Sequence, residues 1–169
     1  MKKNLTLTGM MGVGKSTIGK AISKELSMQF IDIDIIIEKK LKLTVQKIFK
    51  EKGEPFFREF EEKVTFEEIK KKNRIISLGG GAFMNAKIRN YIILNTKSFW
   101  LHLDLNLLEK RLVGSKKRPL LINKNIKGDL EKIYKERKTT YSLANHKIDC
   151  NNLTVSLITK KIITLYENY

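Results

Sequence analysis

The run Gly9-Met10-Met11-Gly12-Val13-Gly14-Lys15-Ser16-Thr17 constrains this chain more than any other stretch. It fits G-x-x-x-x-G-K-[ST], the phosphate-cradling P-loop. Asn4 to Thr8 before it alternates polar and apolar residues, as a strand does, and Thr17 to Met28 after it carries Ile18, Ala21, Ile22 and Leu26 at helical spacing. A bare glycine-rich turn between strand and helix is the alternative, but strand, glycine loop and helix together are the context the motif requires. The glycines let backbone N–H groups turn inward around a polyphosphate, where a Cβ would obstruct them. Lys15 supplies a point charge for the β- and γ-phosphates, and the Ser16 hydroxyl is a ligand type that Mg²⁺ accepts.

A length of 169 residues is one domain with room for a core. No apolar run approaches the roughly 20 residues of a membrane span, so no membrane partner is expected. Lys2 and Lys3 are followed by no apolar segment, so no signal peptide is expected either. Cys150, the single cysteine, has no internal disulfide partner and reads as a small buried apolar residue, in keeping with a reducing, cytoplasmic location. The net charge of +16 invites a nucleic-acid reading. The lysine runs are short and dispersed, however, and none is interleaved with stacking aromatics, so no nucleic-acid partner is expected. A basic field steers small anions equally well.

Strand and helix candidates alternate along the chain. Strands are expected at Asn4 to Thr8, Gln29 to Asp32, Arg74 to Leu78, Ser98 to Asp104 and Lys147 to Asp149. Helices are expected at Thr17 to Ser27, Asp34 to Lys40, Thr44 to Lys52, Pro55 to Lys71, Asn85 to Asn95, Leu105 to Leu112, Asp129 to Asn145 and Leu153 to Tyr166. Repeating β-α units imply an α/β fold, a parallel β-sheet flanked by helices on both faces. Ligands of such folds sit beyond the carboxyl ends of the strands. The P-loop, the Asp32 to Asp34 segment and Gly79-Gly80-Gly81 all follow expected strands, so they should meet at one edge of the sheet.

Each of these segments has a plain structural reading beside the chemical one. Asp32 and Asp34 suit a metal and a substrate hydroxyl separately, or a helix N-cap plus a solvated acid. Arg58 suits an anion, or a surface salt bridge with Glu61 or Glu62. Three consecutive glycines lose much chain entropy and add no packing, which suits a ligand lying against bare backbone better than a turn. Ser115 to Lys127 is basic, holds Arg118-Pro119-Leu120-Leu121 and shows little periodicity, so it reads as a lid or as a plain surface loop. The chain uses lysine almost everywhere, so Arg58, Arg111, Arg118 and Arg137 stand out. A guanidinium fork binds a carboxylate with two parallel hydrogen bonds, which an ammonium does not.

With these pieces in order and in register, the chain resembles the shikimate kinase family along nearly its whole length. The likeness rests on the P-loop through Ile18-Gly19, Asp32-x-Asp34 with Ile37-Glu38, Gly53-Glu54 with Phe57-Arg58 and Glu61, Ser77 to Ala82, Arg118 to Leu121, and Glu136-Arg137 with Tyr141. The resemblance implies a monomeric P-loop NTPase of nucleoside-monophosphate-kinase-like build, with a substrate-binding helical region at about 33–62 and a lid at about 112–126. It implies phosphorylation of the 3-hydroxyl of shikimate by ATP, a step toward chorismate and the aromatic amino acids. By that likeness Gly12, Val13, Gly14, Lys15, Ser16 and Thr17 hold ATP, and Ser16 and Asp32 serve Mg²⁺. Lys15, Asp34 and Arg118 are the catalytic set, with Asp34 at the reacting hydroxyl. Arg58 and Arg137 clamp the shikimate carboxylate, and Gly79, Gly80 and Gly81 lie against the ring. Arg111 and Arg118 reach the nucleotide, Arg111 near the adenine. The chain departs from the family pattern at Cys150-Asn151-Asn152-Leu153, which lacks the arginine or proline often found there.

Two other readings stand against this one. A related gluconate or nucleotide kinase would not need the Arg58, Arg137 and triple-glycine set. A non-catalytic binding module would not need Lys15, Ser16, Asp34 and Arg118 together.

Overall fold

The computed structural model describes residues 3–113 and 125–168. A five-stranded sheet, all parallel, forms the centre, in the order β2-β3-β1-β4-β5. The strands are β1 Asn4–Thr8, β2 Gln29–Asp32, β3 Arg74–Ser77, β4 Thr96–His102 and β5 His146–Asp149. The described helices are α1 Lys15–Leu26, α2 Ile33–Leu41, α3 Val45–Ile69, α4 Ala86–Asn95, α5 Leu105–Leu112, α6 Ile126–Tyr141 and α7 Val155–Glu167, with a 3₁₀ turn at Ala82–Met84. They flank the sheet on both faces, as the alternation of elements implied.

β1 is buried at every position and pairs with β3 on one side and β4 on the other, with Leu5 opposite Ile75 and Lys97. Each side chain of such an inner strand is either apolar or needs a hydrogen-bond partner, and on β1 only the Thr8 hydroxyl lacks one among the described residues. Thr6 meets the second condition through Thr96 Oγ1 at 3.0 Å. Asn4 does so by donating to the Ile69 and Lys71 carbonyls at 2.9 and 2.6 Å and accepting from Arg74 N–H at 2.9 Å. That one amide ties the end of α3 to the start of β3. Gly19 lets α1 lie close to β2, since a Cβ there would run into the Phe30 ring.

The expected helices at Thr44 to Lys52 and Pro55 to Lys71 join into α3, broken at Gly53, whose φ of 81° and ψ of 166° are not helical. Thr44 caps the first half, accepting from Lys47 N–H at 3.3 Å. Lys47 stands where a capping-box acid would, and Glu38 instead accepts from Val45 N–H at 2.8 Å. α6 stops at Tyr141, short of the expected Asn145. Asn145 has other work: its Oδ1 accepts from the Ser98 N–H and hydroxyl at 2.9 and 2.7 Å and fixes the start of β4. β4 ends at His102 because Asp104 already caps α5, accepting from Asn106 N–H at 3.2 Å. Among the described residues no helix is long and apolar enough to cross a membrane. Cys150 is buried, and burial pushes its thiol up to about 11, as suits an inert packing residue.

Candidate active site

The chain leaves β1 toward one edge of the sheet, returns through β3, and crosses to β4 on the other side of β1. This brings the segments after β1, β2 and β3 to one end of the sheet. The P-loop, Asp34 and the triple glycine meet there, as the sequence implied.

The P-loop takes its shape from Gly12 and Gly14, with φ of 79° and 103°, values that L side chains rarely adopt. Gly14 forms the N-cap of α1 with no side-chain cap, leaving the helix terminus open to an anion. Lys15 Nζ donates to the carbonyls of Gly9 and Met10 at 2.8 and 3.0 Å, which folds the ammonium back over the loop. Thr17 lies in the first turn of α1, with Val13 inside the loop. Arg111 Nη1 donates to the Gly12 and Val13 carbonyls at 3.4 and 3.3 Å, so this guanidinium rests against the loop.

Ser16 Oγ donates to Asp32 Oδ2 at 2.5 Å. Asp32 Oδ1 accepts from Ile35 N–H at 3.4 Å. The cap and the metal-side reading of Asp32 are therefore compatible, one for each oxygen. On the other flank of the loop, Asn151 accepts from Asp104 N–H at 2.9 Å.

Beside the P-loop lies a cavity with polar and apolar lining. Asp34, Arg58, Glu61, the three glycines and Arg137 supply the polar part, and Met11, Val45, Phe49 and Phe57 the apolar part. Arg58 is more than a surface ion pair. Its Nη1 donates to Glu61 at 2.8 Å and its Nε and Nη2 to Glu54 at 3.1 and 2.9 Å. Its guanidinium carbon lies 5.2 Å from the centre of the Phe57 ring. Burial alone would lower its pKa, but the two carboxylates outweigh that and raise it. Glu62, the other acid weighed for this pair, bonds Asn85 and Lys87 instead.

Glu61 is only 2% exposed. Burial raises its carboxyl to about 7, against the pull of Arg58. One of its oxygens is held by Arg58, and the other, Oε1, is buried and lacks a hydrogen-bond partner among the described residues.

Two glycines of the triplet make room for charged neighbours, and the third lies in ordinary contact with one. A Cβ on Gly79 would run into Glu61 Oε1 and lie 2.8 Å from Asp34 Oδ1. One on Gly81 would lie 2.6 Å from Arg58 Nη1, and one on Gly80 would lie 3.5 Å from Arg137 Nη1. Gly79 and Gly81 therefore let Glu61, Asp34 and Arg58 close on one small volume, with Arg137 in ordinary contact at Gly80. Arg137 Nη1 donates to the Gly80 carbonyl at 2.9 Å, and Tyr141 donates its hydroxyl to the same oxygen at 2.5 Å.

Asp34, Arg58, Arg137 and Gly79 to Gly81 thus converge, next to the P-loop residues Gly12 to Thr17. Arg118 and nearly all of the lid lie outside the described residues. The sequence offers Glu61 only as a surface ion-pair partner of Arg58 and Tyr141 only as part of the family likeness, and it gives Met11, Val45 and Phe49 no place at the site. The first two carried a signal: Glu61 stands three residues after Arg58 and Tyr141 four after Arg137, each on the same face of its helix.

The family model for shikimate kinase matches residues 11–167. The chain belongs to the shikimate kinase family. A shikimate kinase from Sulfurihydrogenibium sp. is 39% identical over 165 residues, covering 96% of each chain. The solved structure of a shikimate kinase from Acinetobacter baumannii in complex with shikimate is 31% identical, covers 99% of this chain and 94% of its own, and superposes with a TM-score of 0.96. A gluconokinase from Sinorhizobium meliloti is similar at 14% identity with a TM-score of 0.53, covering 98% and 94% of the two chains, which is a likeness of fold alone. As a member of the shikimate kinase family the chain is an enzyme, a transferase on the P-loop kinase fold.

Proposed function

We propose that this chain transfers the γ-phosphoryl group of ATP to the 3-hydroxyl of shikimate, as a cytoplasmic monomer. The observation that carries the reading is the convergence of two guanidinium groups, Arg58 and Arg137, and two carboxyl groups, Asp34 and Glu61, on a single cavity that shares Met11 with the P-loop. Shikimate is a carboxylated ring with hydroxyls. Arg58 and Arg137 suit the carboxylate, which each takes through a planar fork. Asp34 suits the hydroxyl, accepting its hydrogen bond and then its proton as the new O–P bond forms. The apolar lining of Val45, Phe49 and Phe57 suits the ring carbons.

The polyphosphate falls to the open N-terminus of α1 and the N–H groups of Gly12 to Thr17, with Lys15 swinging from the Gly9 and Met10 carbonyls to the β- and γ-oxygens. Mg²⁺ fits the Ser16 and Asp32 pair, since hard oxygen donors already meet there at 2.5 Å. When bound, it supplies charge neutralisation between the β- and γ-phosphates. The bond from the γ-phosphorus to the bridging oxygen breaks and ADP leaves. Arg118 is the arginine proposed to meet the transferring group from the lid, and Arg111 the one beside the adenine. Positioning and electrostatics suffice for this reaction, so no covalent intermediate on the protein is involved.

The test is ADP release from ATP and Mg²⁺ with shikimate, with gluconate, with a nucleoside monophosphate and with no acceptor. Strong stimulation by shikimate alone is expected. Stimulation by another acceptor, or nucleotide binding with no turnover, would overturn the reading.

A further inference from the structure

The Gly80 carbonyl receives two donors from one face of α6, Arg137 Nη1 at 2.9 Å and the Tyr141 hydroxyl at 2.5 Å. Tyr141 is fully buried, and its ring stacks on Trp100 with centroids 6.0 Å apart. The phenol is therefore held from behind by β4, and its hydroxyl meets both the Gly80 carbonyl and the Arg137 guanidinium. Arg137, by contrast, is the partner that this reading asks to serve the substrate carboxylate as well.

The peptide unit is planar, so fixing the Gly80 C=O toward α6 turns the Gly81 N–H away from it. A triple glycine left without such an anchor has more backbone freedom than any other sequence. Its N–H groups would then have to be ordered each time a substrate bound, at a cost in affinity.

We infer that Tyr141 is a positioning residue for acceptor binding: its hydroxyl anchors the Gly80 carbonyl beside Arg137 Nη1, and Arg137 turns its remaining N–H groups to the substrate. The inference rests on the proposed shikimate site and assigns Tyr141 a task within it. Because the anchor acts before chemistry, its loss weakens acceptor binding and leaves both the phosphoryl-transfer step and the nucleotide site largely as they were.

Tyr141→Phe in the full chain deletes the hydroxyl and keeps the ring on Trp100. ADP release is measured against varied shikimate at saturating ATP, then the reverse. The expected result is a KM for shikimate raised about tenfold, the size of one lost buried hydrogen bond. kcat is expected to stay within about threefold and the KM for ATP within about twofold. Tyr141→4-aminophenylalanine restores a donor at the same place and is expected to recover most of the KM. An unchanged KM for shikimate, an equal rise in both KM values, or no rescue by the amino group would overturn the inference. Should the phenylalanine variant fail to fold, the 4-aminophenylalanine variant carries the test: a KM for shikimate within about threefold of the parent is expected, and a rise as large as tenfold contradicts the donor's role. Parent protein that releases no ADP with shikimate would defeat the functional reading itself; active parent with an indifferent Tyr141→Phe defeats only the assignment of Tyr141.

Discussion

Glu61 accepts a hydrogen bond from Arg58 Nη1 at 2.8 Å from a position that is only 2% exposed. The pair sits one helical turn apart on α3, and both side chains line the acceptor cavity. A carboxyl held there has lost most of its hydration, and Arg58 returns only part of what burial removes.

The consequence is a pH dependence of stability. Glu61 titrates at about 7 in the fold against an ordinary value of 4.5, so the folded chain keeps a proton that the unfolded chain has already released. Stability from this group is present below the ordinary value and is lost as pH rises through about 7, by about 2–4 kcal/mol in all. Glu61→Gln cannot ionise. The Tm of the parent minus that of Glu61→Gln is therefore expected to fall between about pH 5 and pH 8, by several degrees for a chain of this size. A difference that stays flat across that range contradicts the assignment.

The glycine triplet gives a prediction by position. Gly79→Ala drives a Cβ between Glu61 and Asp34, while Gly81→Ala presses only on Arg58. Gly79→Ala is expected to lower kcat by about a hundredfold or more, the scale on which a positioned acid–base group works. Gly81→Ala is expected to act mainly on the KM for shikimate. Steady-state kinetics on both variants decide it, and identical effects would mean that the triplet serves the backbone and not its neighbours.

Asp34→Asn keeps the shape of the acceptor contact and removes the proton acceptor. Turnover is expected to drop by about a hundredfold or more, with shikimate affinity changed far less. Trp100, the single tryptophan, stacks on Tyr141 beside the site, so its fluorescence reads shikimate binding without turnover. A near-normal rate would remove Asp34 from the chemistry.

Arg118→Ala is expected to reduce kcat by several powers of ten and shikimate affinity much less, since a lid arginine serves charge that develops at the transferring group. Equal losses in rate and affinity would make it a binding residue instead.

Much of this was legible in the sequence because local chemistry dictates it. The P-loop has one spacing, and Gly12 and Gly14 take the positive φ that the motif requires. Thr44 announces a helix start and caps it, whereas Asp104 and Thr154, expected inside a strand and a helix, turn out to be caps. The value of Arg58 and Arg137 could be read from how sparingly the chain uses arginine. What stayed hidden depends on packing across the sheet. Nothing local says that Glu61 is buried, that Gly79 yields to two carboxylates and Gly81 to Arg58, or that Tyr141 reaches Gly80 across 61 positions of sequence. The end of α6 was misplaced for the same reason, because the pull on Asn145 comes from Ser98 on β4.

The central claim is that Arg58 and Arg137 select the acceptor by its carboxylate. The most direct test compares ADP release with shikimate and with shikimate methyl ester, which keeps the ring and every hydroxyl but carries no charge. The account predicts strong turnover of shikimate and a kcat/KM for the ester lower by about a hundredfold or more, since two charge-assisted pairs are lost. Equal turnover of acid and ester would contradict it.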